Sequence, residues 1–203
     1  MKADALAVVC VAVWVVAAAC ARVFGIWLAV GGAAVALGVA VWVADREQAG
    51  RLLRPSPRLL AVGAAAGVAM AAVTALLYPV LARRLPFIAP DTALLYSAFR
   101  GPSLAVASIA LAPVVVGEEL VWRGVVQAAL TRRFGGPFGV VCAAVAYALA
   151  HAALGSPVLV AVALLCGIAW GALRAASKSL VPPLVAHLVW DALVLLWLPL
   201  DRG

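Results

Sequence analysis

The chain is poor in charge. Asp, Glu, Lys and Arg make up only 11% of its 203 residues, against 67% hydrophobic residues, and mean hydropathy is +1.17. That balance excludes an ordinary soluble domain, in which apolar residues make up about 45–50%. The period-two alternation of a transmembrane barrel strand is also missing. Cys10, Cys20, Cys142 and Cys166 all fall in apolar runs without zinc-motif spacing, so they read as small packing residues. Neither G-x-S-x-G nor H-E-x-x-H occurs, which removes the serine-hydrolase elbow and the zincin helix. No acidic pair is placed for an aspartyl site, and there is no soluble domain and no internal repeat.

What remains is a succession of apolar stretches about twenty residues long, the mark of an all-α, polytopic transmembrane bundle. Seven spans are expected, over residues 4–21, 23–44, 59–82, 103–131, 137–153, 158–176 and 181–198. The first ends in AAACA, which looks like a signal-peptidase site, but a second apolar run follows at once, so it reads as a retained anchor. A charged linker, DREQAGRLLRPSPR, fills 45–58, and the proline- and glycine-rich segment 85–102 reads as a loop with interfacial or re-entrant character. Two parts are expected: N-terminal helices and loops over 1–99, almost free of mid-span polar residues, and a helical core over 100–203 that carries them.

The net charge of +7 fits loop arginines meeting lipid headgroups, not nucleic acid. Nine basic residues would lie on the N-terminal side: Lys2, the four arginines of the linker, Arg132, Arg133, Arg174 and Lys178. Five would lie opposite, so the positive-inside rule places the N-terminus inside and the C-terminus outside. Arginine over lysine, with abundant alanine and valine, points to a GC-rich bacterial genome and a bacterial cytoplasmic membrane.

Ionisable residues well inside the spans are few: Glu118, Glu119 and Arg123 in the fourth, His151 in the fifth, His187 and Asp191 in the seventh. These include both histidines of the chain. A charge at mid-bilayer costs roughly 2.5–3.5 kcal/mol on insertion scales, so such residues pair or line a wet cavity. Glu119 and Arg123 are four apart and share a helix face, as do Tyr147 and His151, and His187 and Asp191. Glu118 points about 100° away from Glu119. Three polar faces can therefore converge, although span depths set His151 several Å towards one side and His187 towards the other. A buried carboxylate can act as general base on water, one histidine can share that water or bind a metal, and the other can donate to an oxyanion. Trp122 and Trp190 read as packing or lipid-facing residues. A transporter would also place carboxylates and histidines at mid-depth, and a non-catalytic bacteriocin-immunity-type protein could keep them for packing.

The three clusters, Glu118-Glu119-Leu-Val-Trp-Arg123, Tyr147-Ala-Leu-Ala-His151 and His187-Leu-Val-Trp-Asp191, resemble the motifs E-E-x-x-x-R, F-x-x-x-H and H-x-x-x-N/D. In that order they mark the CAAX protease and bacteriocin-processing family, also called CPBP or Abi, of intramembrane proteases. Gly124 and GIAWGALR (167–174) look like that family too. The resemblance covers about residues 100 to 200. It implies an intramembrane endopeptidase acting on a membrane-associated protein or peptide. Glu118 would activate water with His151 assisting or ligating. His187 and Asp191 would stabilise the oxyanion or complete a metal site, and Glu119 with Arg123 would be a structural pair. A divalent metal such as zinc, held among His151, His187, Asp191 and Glu118, is left open. Two positions depart from the pattern. Tyr147 stands where phenylalanine is usual, adding a donor near His151. Asp191 stands where the prenyl-protein proteases commonly carry asparagine. An ionised aspartate only accepts, so Asp191 must be protonated, orient His187 or bind a metal.

Overall fold

The computed structural model describes residues 3–202, so Lys2, counted above on the N-terminal side, lies outside them. Among the described residues nine helices of seven residues or more follow in order: α1 Ala3–Phe24, α2 Trp27–Ala44, α3 Arg46–Leu52, α4 Pro57–Arg84, α5 Ile88–Phe99, α6 Leu104–Phe134, α7 Gly136–Leu154, α8 Pro157–Ser177 and α9 Val181–Trp197. No strand occurs among the described residues. Helices α1, α2, α4, α6, α7 and α8 are long and apolar enough to cross a bilayer, and α9 is a shorter apolar helix in the seventh expected span. Valine, leucine and isoleucine side chains such as Val8, Leu28, Leu76, Ile109, Leu149 and Leu165 stand exposed along these helices. In water they would form large apolar patches; on a multi-pass membrane protein they face lipid.

Two segments expected to be irregular are helical. The linker folds into α3 because Asp45 caps it, accepting from Gln48 N at 2.9 Å, and Glu47 pairs with Arg51 one turn on. The 85–102 segment folds into α5, where Ile88, Thr92 and Tyr96 form a buried stripe at four-residue spacing. Pro90 lies in its first turn, where proline is tolerated. Six polar contacts dock α5 and the residue that follows it. Asp91 accepts from Ser156 Oγ at 2.6 Å and Val158 N at 2.9 Å, joining the start of α8. Tyr96 donates to Val194 O at 2.6 Å and accepts from Leu200 N at 3.1 Å. Trp27 Nε1 donates to Phe99 O at 3.0 Å, and Arg100 pairs with Asp201.

Three helices carry a widened π-helical stretch: Trp27–Gly31 in α2, Leu120–Val126 in α6 and Ala192–Trp197 in α9. Such turns shift the register of the side chains around them. The α6 stretch begins directly after Glu119 and the α9 stretch directly after Asp191.

Close packing fixes α6 just before its glutamates. A Cβ on Gly117 would lie 2.1 Å from Ala34 O of α2, and one on Gly38 would lie 2.6 Å from Gly117 Cα. The two backbones touch as only small residues permit. Gly117→Ala must push α2 and α6 apart. A loss of about 1–3 kcal/mol or more is expected from overpacking, read as a lower thermal midpoint and folded yield in detergent.

Candidate active site

The polar faces of α6, α7 and α9 meet. Glu118, Tyr147, His151, His187 and Asp191 all line one cavity of about 720 Å³, walled otherwise mainly by apolar residues of α2, α4, α5, α6, α8 and α9. The depth mismatch expected between His151 and His187 does not keep them apart: both line this cavity.

Glu118 is 8% exposed, and its Oε2 accepts the Tyr147 phenol at 2.9 Å. One turn after Tyr147, His151 Nδ1 lies 2.8 Å from Tyr147 O. That bond makes Nδ1 the protonated nitrogen of a neutral ring and leaves the Nε2 lone pair free. Trp14 of α1 packs 5.9 Å from the His151 ring and edge-on to Trp122 at 5.7 Å. Cys10, Trp14 and Ala18 of α1 are fully buried, so the first apolar segment is a core helix of the bundle.

Glu119 is fully buried and turned away from Glu118. Its Oε1 lies 3.1 Å from Arg123 Nη1, as the four-residue spacing predicted, and also 2.9 Å from His187 Nδ1, which it did not. The Arg123 contact is an ion pair without an aligned hydrogen bond: Nη1, Nη2 and Glu119 Oε2 all lack a hydrogen-bond partner. The guanidinium is held instead between two aromatic faces, 4.6 Å from the Tyr147 centroid and 5.1 Å from that of Trp170. Trp170 also stacks on His187 at 3.7 Å and 20°. The remaining His187 nitrogen, Nε2, faces Asp191 Oδ2 at 3.4 Å. Trp122 and Trp190 are buried packing residues, and Trp190 Nε1 donates to Thr74 Oγ1 at 3.1 Å.

The four side chains among which a metal was left open do not form one ligand set. His187 has Nδ1 engaged by Glu119 and Nε2 turned to Asp191. Among the described residues no three His, Cys, Asp or Glu side chains are grouped to hold an ion. The donor set as folded does not fit a divalent metal.

Residues 99–193, just under half of the chain, match the type II CAAX prenyl endopeptidase family, Rce1-like. Over this region the chain is similar to the CAAX protease family. No curated protein and no solved structure matches the chain. The matched region starts at the end of α5 and stops two residues after Asp191, so it contains all three motifs. The match supports an intramembrane protease at family level, and the six long apolar helices a multi-pass membrane setting. Trp14 and Trp27 lie outside the match, yet Trp14 packs on His151 and Trp27 lines the cavity.

Proposed function

We propose that this protein hydrolyses a peptide bond of a membrane-associated protein or peptide, using water activated by Glu118. The observation that carries this reading is the wall of the cavity, where a carboxylate, an imidazole lone pair and a second imidazole face one space. A water between Glu118 and His151 Nε2 would be oriented by both. Glu118 takes its proton as the water oxygen bonds to the scissile carbonyl carbon. His187 has a carboxylate at each ring nitrogen and carries a proton on both; its Nε2–H donates to the oxygen that becomes negative, because Asp191 at 3.4 Å is too distant to hold that proton tightly. On collapse the C–N bond breaks and Glu118 returns the proton to the amine. Asp191 and Glu119 orient His187 from its two nitrogens, and Arg123 balances Glu119.

In this reading residues 100–203 form the catalytic core and helices of 1–99 frame it. The home is a bacterial cytoplasmic membrane, with the N-terminus inside and the C-terminus outside. The apolar cavity suits a substrate delivered from the bilayer, and prenylated chain ends are one such class. The test is terminal-peptide profiling of host membranes carrying wild type or Glu118→Gln at matched levels. New termini unique to wild type support proteolysis and identify the substrates. Identical profiles from a folded enzyme would sink it in favour of binding or transport. Because the donor set does not fit a metal, cleavage is expected to survive dialysis against EDTA; loss restored by zinc would contradict that expectation.

A further inference from the structure

Tyr147 touches more of the site than any other side chain. Its hydroxyl donates to Glu118, its carbonyl accepts from His151, and its ring lies against Arg123, Trp122 and His151. It also lines the cavity.

A census of proton donors shows what that hydroxyl can do. Ionised Glu118 and Asp191 accept only. His151 gives its Nδ1–H to Tyr147 O, leaving an acceptor at Nε2. Arg123 is not among the walls of the cavity. Trp170 Nε1 is sealed inside protein without a partner. The Cys166 thiol, also on the wall, is a weak donor. His187 has one nitrogen committed to Glu119. Among the motif residues on the cavity wall two good donors remain, His187 Nε2–H and the Tyr147 hydroxyl, and the hydroxyl already bonds Glu118.

We propose that Tyr147 is a catalytic residue whose hydroxyl donates to Glu118 at rest and to the oxyanion during hydrolysis. This rests on Glu118 being the base. As water attacks, the O–C bond forms, the carbonyl π pair moves onto oxygen, and the water proton passes to Glu118. Glu118 becomes neutral, and a poorer acceptor, as the substrate oxygen becomes a stronger one. The phenol hydrogen bond moves between them, and no proton leaves Tyr147. When the C–N bond breaks, Glu118 gives its proton to the amine nitrogen and accepts the phenol again. The chain thereby has a second oxyanion donor although Asp191 cannot serve as one.

Tyr147→Phe removes the hydroxyl and keeps the ring, and phenylalanine is the usual residue in the motif this segment resembles, so the fold should hold. The probe is a synthetic peptide spanning a Glu118-dependent cleavage found by terminal profiling. The kcat is expected to fall about 10²–10³-fold, the usual cost of one lost oxyanion donor, with KM changed less than about threefold. Adding Asp191→Asn, whose amide can donate, should recover at least about tenfold of the lost kcat. An amide on another helix would not rescue a hydroxyl that only positions Glu118. Wild-type kcat in Tyr147→Phe, or a loss without recovery in the double variant, overturns the proposal. A wild-type enzyme that yields no Glu118-dependent termini overturns the underlying hydrolytic reading instead.

Discussion

Glu118→Gln is expected to abolish peptide-bond cleavage while leaving the bundle intact. The amide occupies nearly the same volume, and its oxygen can still accept the Tyr147 phenol that Glu118 Oε2 accepts at 2.9 Å. It cannot take a proton from water. General-base catalysis contributes typically 10²–10⁴-fold, and the same group must return the proton to the amine, so a loss at or above the upper end is expected. The measurement is kcat of purified enzyme in bilayer vesicles, alongside its thermal midpoint. A variant that melts like wild type and still cleaves at more than about one per cent of the rate would remove Glu118 from the chemistry.

Glu119→Ala should act on the fold. The side chain is fully buried and its Oε1 faces both Arg123 and His187. Truncating it strands a permanent cation with no other carboxylate partner in contact. Breaking a buried pair from one side costs about 3–5 kcal/mol, much of the 5–15 kcal/mol by which domains are usually stable. Folded yield and thermal midpoint should fall together, and activity with them. Glu119→Leu with Arg123→Met separates the two roles. An apolar replacement of both charges should recover folding, yet leave cleavage impaired because His187 loses its Nδ1 partner. Wild-type melting in Glu119→Ala would show that Arg123 finds its compensation elsewhere, against the geometry described.

Much of the second half was readable because ionisable residues inside apolar spans are scarce, and four-residue spacing sorts them onto faces. Glu119 with Arg123, Tyr147 before His151 and His187 before Asp191 follow from that rule alone. The Glu119–His187 bond did not, since it joins α6 to α9 across 68 positions and no local spacing encodes it. Depth counted at about 1.5 Å per residue from the span ends held His151 and His187 apart, because linear counting carries no information on how the helices sit against one another. Trp14 carried no signal in the sequence, because aromatics within a span are as apt to face lipid as core, and Trp170 stood out only as part of GIAWGALR. Proline and glycine around 85–102 concealed the Ile88, Thr92 and Tyr96 stripe of α5. The contact of Gly38 with Gly117 had a trace in small residues on both helices, but only the fold pairs them.

The position of Trp14 bears on how such a molecule can change over time. A residue of the first helix, outside the matched residues 99–193, packs on the histidine of the second motif. The motifs therefore cannot be lifted out as a portable cassette. An isolated 99–193 fragment would lack the α1 and α2 surfaces against which His151 and Gly117 are set. A chimaera carrying another chain's opening helices would have to match Trp14 and Ala34 to work. Substitutions in α1 and α2 should accordingly drift in step with those around His151 and Glu118, so the N-terminal helices are under the constraint of the chemistry without supplying any of its reacting groups.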